Sequence, residues 1–388
     1  MPSHPQHKLV PMPRPPFENI VLLLQGGGAL GAYQAGVYEA LTEAALQPDW
    51  VAGISIGAIN AAIIAGNAPE KRVDKLKEFW YGVTAPSTWD VFGDPLARYA
   101  RGTDARLLVN QLSAASTAMT GVPGFFAPRF PSPWAQPRGS MEATSYYDTS
   151  ALRSTLERLV DFDRVNSTDA MRFSVGAVNV RSGNFVYFDN RHHPILPEHV
   201  MASGSLPPGF PATEIEGEHY WDGGLVSNTP LQWVLQYGPR RDTLAFEVDL
   251  WSAHGDFPES MAEVATRQKE ILYSSRTREN VDRFKHAQRL RHATAKLLET
   301  VPSDQRQTPE YAYLADFGDS KIYSLVHLIY HARHYEGDSK DYEFSRLSME
   351  EHWRAGYSDT ARTLHHPSSL ARPKGMDGLA LFDIHDYD

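Results

Sequence analysis

An apolar run, Ile20-Val21-Leu22-Leu23-Leu24, stops at Gln25 and meets three consecutive glycines, Gly26-Gly27-Gly28, before a helix-forming stretch begins. No other feature of the chain restricts its fold as strongly. The pattern is a strand, a tight turn and a helix start. A glycine turn of this kind leaves backbone N–H groups bare at the helix entrance. Such groups can hold a phosphate, or an oxyanion that exists only during a reaction.

A second unit of the same kind follows. Residues 31–46 carry Ala32, Ala35, Val37, Leu41 and Ala45 at helical spacing. Residues 50–54 then read as a short buried strand, which meets Ser55-Ile56-Gly57 and an apolar helix over 58–65 that ends at Gly66. Two strand–turn–helix units in succession predict an α/β sheet with right-handed crossovers. A length of 388 residues suits one large α/β domain or two smaller ones. With 42% hydrophobic and 22% charged residues, the composition is that of an ordinary globular protein.

Further along, residues 69–81 predict an amphipathic helix. From 87 to 145 the character changes, with Trp89, Phe92, Tyr99, Phe125, Phe126, Phe130 and Trp134 scattered among prolines. This insert is either a cap over the sheet or a surface loop, and its prolines argue against regular structure over 121–139. A helix over 149–160, opened by Asp148 or Thr149, precedes a strand pair at 171–180 and 184–188 that turns at Ser182-Gly183. A short helix near 198–203 leads to a rigid Pro-Gly loop at 205–211. Residues 229–237 read as a helix and 244–250 as a core strand. Beyond Ser260 the chain turns polar: one long helix or two over 261–298, a strand at 322–331, a final helix at 349–364 and a loose tail from Pro367. The boundaries expected are a disordered N-terminus over 1–17, a catalytic domain over 18–258 and a mostly helical extension over 259–388.

Gly53-Ile54-Ser55-Ile56-Gly57 fits the nucleophile elbow Gly-x-Ser-x-Gly, in which glycines permit a sharp strand-to-helix turn that lifts the serine Oγ. Serine is also a favoured N-cap, but the strand before it and the apolar helix after it are the context the elbow needs. A serine nucleophile needs a base. His192, His193, His199, His219 and His254 are within reach along the chain, while His331, His334, His365 and His366 sit in polar surroundings. None of them has a distinguishing local context, and no Ser-His-acid triad can be assembled from the sequence. Asp222, between Tyr220-Trp221 and Gly223-Gly224, sits where a loop can partly desolvate it, which raises a carboxylate's pKa. Taken alone, Asp-Gly is an ordinary turn dipeptide.

The glycine turn has rival readings. A Walker loop needs a lysine where this chain has Leu30-Gly31-Ala32. A dinucleotide fingerprint matches Gly26, Gly28 and Gly31, but its expected acid, Asp49, falls before the second strand. The histidines lack metal-ligand spacing, so neither a metal nor a cofactor is expected. A formal charge of −10 argues against nucleic acid as a partner. The absence of cysteine excludes disulfides and thiolate chemistry, and fits a reducing cytoplasm. No stretch reaches the ~18 apolar residues of a membrane span, and residues 1–17 lack the apolar centre of a signal peptide.

The glycine turn, the elbow and Asp222-Gly223-Gly224, in this order, resemble the patatin-like phospholipase family. Ser203-Gly204-Ser205-Leu206-Pro207-Pro208-Gly209-Phe210-Pro211 is similar to that family's Ser-rich, Pro-rich segment just upstream of its aspartate. The resemblance covers about residues 19–250, and the remainder resembles C-terminal extensions of some bacterial members. It implies a three-layer α/β/α fold with a mainly parallel sheet, and a Ser–Asp dyad without histidine. By that resemblance Ser55 is the nucleophile and Asp222 the base, with the oxyanion held by N–H groups among Gly26, Gly27, Gly28 and Ile56. Gly31, Gly53, Gly57, Gly223 and Gly224 are the supporting motif glycines. The implied substrate is a lipid or phospholipid ester, and the implied location is the cytoplasm, with peripheral contact at a membrane. Leu30 departs from the family, in which many members carry Arg or Lys there. An acyltransferase using the same serine, a nucleotide-binding oxidoreductase using the glycine turn, and a binding protein whose hydrolase site is weak or regulatory remain alternatives at this level.

Overall fold

The computed structural model describes residues 9–84, 103–274, 277–333, 335–375 and 377–384. The apolar run becomes β1 (Asn19–Leu24), buried at every position. It is followed by β2 (Trp50–Gly53), β3 (Arg172–Asn179), β4 (Phe185–Asp189), β5 (Thr213–Ile215), β6 (Glu218–Asp222), β7 (Thr243–Asp249), β8 (Tyr323–Ile329) and β9 (Leu379–Asp383). These form one sheet in the order β9-β8-β7-β1-β2-β3-β6-β5, with β4 also on β3. The run from β9 to β3 is parallel throughout, whereas β4, β5 and β6 pair antiparallel.

Period-two alternation divides β1 between two cores. Ile20, Leu22 and Leu24 join one apolar cluster, and Val21 and Leu23 join the other. Helices therefore cover both faces, which is why the strand reads as an unbroken apolar run. On the first face lie α1 (Ala32–Glu43), α2 (Ile56–Ala65) and α3 (Arg72–Val83).

Next in the chain come α4 (Thr103–Thr120), α5 (Ser150–Leu159), α6 (Pro197–Ser203), α7 (Leu231–Tyr237), α8 (Met261–Tyr273), α9 (Thr277–Glu299), α10 (Pro309–Phe317) and α11 (Arg346–His365). Leu231 and Val234 of α7, with Val281 and Phe284 of α9, fill the second face.

Two expectations are corrected. In the mostly helical region after 259 the strand expected at 322–331 forms as β8, and β9 pairs with it to extend the sheet beyond β7, so the tail expected to be loose from Pro367 contains a strand. Helix α11 crosses α1 so closely that a Cβ on Gly36 would lie 1.9 Å from the Trp353 carbonyl oxygen, and one on Gly356 would lie 2.0 Å from that of Tyr33. The described part of the N-terminus, residues 9–17, is packed down, with Leu9 and Phe17 buried and the Met12 N–H bonded to the Ala44 carbonyl.

The start of the insert, 87–102, lies outside the described residues. From 103 onward it includes α4 and a short ribbon pairing Ala127–Pro128 with Tyr147–Asp148. Phe125 and Phe126 are buried against Phe210 and Phe344, so this part is a wall on the sheet rather than a loop.

Candidate active site

Strand β2 ends at Gly53, and Ser55 sits between it and α2 in a strained backbone conformation, φ +56° and ψ −124°. The turn is tight enough that a Cβ on Gly53 would lie 2.2 Å from the Gly57 carbonyl oxygen, and one on Gly57 the same distance from that of Leu24. The elbow is therefore possible only with both glycines. The Ser55 N–H donates to Ser203 Oγ at 3.0 Å, and that hydroxyl donates in turn to the Gly176 carbonyl at 2.7 Å. Ser203, fully buried at the end of α6, fixes the elbow to β3.

Register explains how Asp222 arrives. Strand β2 pairs with residues 172–175 of β3, while β4 occupies the opposite edge of β3 along 174–178. Strand β6 pairs with residues 177–179, so it must continue along the edge that β2 has left. Its last residue, Asp222, is therefore delivered just past the end of β2, where Ser55 stands. The Asp222 carboxylate is 1% exposed. It accepts the Gly224 N–H at 2.7 Å and lines the same cavity as Ser55. Burial pushes its pKa up to about 7, only partly opposed by the Ser55 side chain and the Gly224 N–H.

The glycine turn lies opposite. The Gly26 N–H is taken by the Asn228 carbonyl at 3.2 Å, so Gly26, expected among the oxyanion donors, is occupied by the turn itself. Gly27, Gly28 and Ile56 have N–H groups with no protein acceptor among the described residues. All three line one cavity with Ser55 and Asp222. Gly31 packs against Ile56 and Trp80, and Gly223 against Gly176. Leu30 is buried.

The cavity holds about 480 Å³. Its walls are mainly apolar, from Ile59, Phe125, Phe126, Leu206, Phe210 and Phe344. Among the described residues no histidine lines it. His199 instead packs edge-on against Phe188. His327, which has no distinguishing sequence context, is buried with Asp249 2.7 Å away, and nearby carboxylates push its pKa up to about 9 against the cost of burial. Asp49 caps the opposite end of the sheet, accepting the Ile20 N–H at 2.8 Å, so it is remote from the glycine turn and does not complete a dinucleotide fingerprint.

Several site residues escape sequence reasoning. Asn228 donates to the Gly26 carbonyl at 3.0 Å, as does Trp251 Nε1 at 3.0 Å. Tyr273, Asp341 and Phe344 come from the region with no chemical motif, yet they line the same cavity. Only Ser203 had a signal, as part of the segment upstream of Asp222. No helix among the described residues is long and apolar enough to cross a membrane.

A family model described as patatin-like phospholipase matches residues 22–234, and one described as patatin phospholipase matches residues 271–376. The chain is a lipid hydrolase by class. It belongs to the patatin-like phospholipase family. No curated protein sequence matches it. Among solved structures, VipD from Legionella pneumophila is similar at 13% identity and a TM-score of 0.38, over 100% of this chain and 77% of that one. ExoU from the type III secretion system of Pseudomonas aeruginosa, solved with SpcU, is similar at 18% identity and a TM-score of 0.26, over 78% of this chain and 60% of that one.

Proposed function

We propose that the chain hydrolyses carboxylic esters of phospholipids or other long-chain acyl lipids through a Ser55–Asp222 dyad and an acyl-enzyme. The observation that carries this reading is a buried carboxylate lining the same apolar cavity as Ser55, where burial pushes the Asp222 pKa up to about 7. A carboxylate near neutrality is matched to accept a hydroxyl proton and return it.

Ser55 Oγ attacks the ester carbonyl carbon while its proton passes to Asp222. The carbonyl oxygen becomes an oxyanion held by the N–H groups of Gly27, Gly28 and Ile56, each such donor being worth about 2.7–4 kcal/mol in the transition state. Collapse breaks the ester C–O bond, and the departing alcohol takes the proton from Asp222. Water then attacks the acyl group, gives a proton to Asp222, and the second collapse returns that proton to Ser55 as the fatty acid leaves. The aromatic walls accommodate the acyl chain.

The test is hydrolysis of a chain-length series of p-nitrophenyl esters and of phospholipid vesicles. Ser55→Ala and Asp222→Asn should each lose about 10³-fold or more in kcat while remaining folded. Full activity in Ser55→Ala would overturn the assignment.

A further inference from the structure

In a trans peptide the carbonyl of one residue and the N–H of the next point in opposite directions, so anchoring either group aims the other. Every peptide plane around the two candidate oxyanion donors of the glycine turn, Gly27 and Gly28, is anchored this way. The Gly26 carbonyl is held by Trp251 Nε1 and Asn228 Nδ2, both at 3.0 Å, which aims the Gly27 N–H away from them. The Gly27 carbonyl accepts the Leu30 N–H at 3.2 Å, which aims the Gly28 N–H. The next plane is fixed from outside the turn: the Ala29 N–H donates to the Asp341 carbonyl at 2.8 Å. Such anchoring matters because adjacent glycines rotate at little cost, and Gly28 already stands at φ +56°.

Asp341 is itself held. Lys269 Nζ on α8 bonds the Asp338 carbonyl at 2.8 Å and both oxygens of the Asp341 carboxylate, at 2.9 and 3.2 Å. A second bridge runs the other way, from Lys340 Nζ to Glu270 Oε1 at 2.7 Å. Helix α8 is tied at its end to the same turn, because the Tyr273 carbonyl accepts from Gln25 at 3.2 Å and from Asn228 at 2.8 Å. The segment 337–341 is thus a strap bolted to α8 and pressed on the glycine turn, so close that a Cβ on Gly28 would lie 2.0 Å from the Asp341 carbonyl oxygen.

We propose that Lys269 and Asp341 are positioning residues for the oxyanion turn: their ion pair holds the strap so that the Asp341 carbonyl keeps the Gly28–Ala29 peptide oriented and leaves the Gly27 and Gly28 N–H groups directed at the substrate oxygen. This role rests on the reading of Ser55 as nucleophile. It assigns to the C-terminal region a part in transition-state stabilisation, although both residues lie outside the stretch 22–234 that matches the patatin-like model.

The experiment compares wild type, Lys269→Met, Lys269→Arg, Asp341→Asn and the Lys269→Met/Asp341→Asn double variant on a p-nitrophenyl ester, with Ser55→Ala alongside. Lys269→Met should lower kcat about tenfold or more, approaching the loss of one donor, with KM changed less than about twofold. The pH midpoint should stay in place, because Asp222 is untouched. Lys269→Arg should recover most of kcat, and the double variant should be no worse than the poorer single one. If Lys269→Met does not fold, Lys269→Gln is compared in its place. A neutral variant whose urea midpoint falls while kcat stays at the wild-type value would overturn the positioning role, as would fully additive losses in the double. Activity retained by Ser55→Ala would instead overturn the reading beneath it, so the two failures are distinguishable.

Discussion

Residues 19–250 and residues 261–384 contribute to one sheet and one cavity, but they advertise themselves very differently. The first region holds the glycine turn, the elbow and the Asp-Gly-Gly loop, each a short pattern whose residues are neighbours in sequence. The second has no pattern assignable to chemistry, yet it supplies β8 and β9, the helix that crosses α1, and Tyr273, Asp341 and Phe344 in the cavity wall. A motif is visible when one turn of backbone does the work. A wall or a brace is built from residues that meet only in three dimensions, and it leaves no local spacing to detect.

The largest effect is expected when the first region is made to stand alone. A chain ending at residue 258 would expose β7 as an open edge along Thr243–Asp249, where β8 now pairs, and would uncover the face of α1 that α11 covers. Such a truncation should lose cooperative unfolding by circular dichroism and elute as aggregate in size exclusion. A monomeric, active 1–258 fragment would show the two regions to be independent.

Asp222 probes the first region by itself. In the proposed dyad its unprotonated form is the base, so kcat/KM should fall about tenfold per pH unit below a midpoint near 7 and level off above it. Stability runs the opposite way. The folded pKa is raised above the ~3.9 of an unfolded aspartate, so the native state binds the extra proton between those values. The contribution is present at low pH and is lost as pH rises to 7, on the order of 4 kcal/mol in all. Asp222→Asn should abolish this dependence, gaining stability over wild type at pH 8 and not at pH 4. Urea midpoints across that range are the measurement, and parallel pH profiles for the two proteins would count against a buried, protonatable Asp222.

The smallest effect is expected at the seam between the regions. Gly356→Val should push α11 off α1, costing about 1–3 kcal/mol as overpacking does, because even a Cβ would meet the Tyr33 carbonyl oxygen. An unchanged urea midpoint would mean the crossing is loose.

Much of the fold was legible. The strands at 20–24, 50–54, 171–180, 184–188, 244–250 and 322–331 and the helices at 31–46, 58–65, 149–160 and 349–364 correspond to observed elements, because periodicity and capping act over a few residues. The polar stretch 261–298 proved to be two helices, with α8 ending at Tyr273. The strand β9 has no clear sequence signal because Leu379–Asp383 is a short edge segment that becomes regular only by pairing with β8. The sequence does not decide between cap and loop for the insert, because prolines report what the backbone cannot do and not where the phenylalanines go.

By itself the sequence determined the two strand–turn–helix units, the elbow serine and the glycine turn, all of which depend on neighbours within one turn of chain. Only the tertiary structure decided which group stands beside Ser55, since β6 continues the edge of β3 that β2 leaves and so brings Asp222 there. It also decided that Gly26 is spent on Asn228, and that the C-terminal strap holds the glycine turn. Desolvation and hydrogen-bond direction are properties of what surrounds an atom in space, and residues far apart in the chain provide those surroundings.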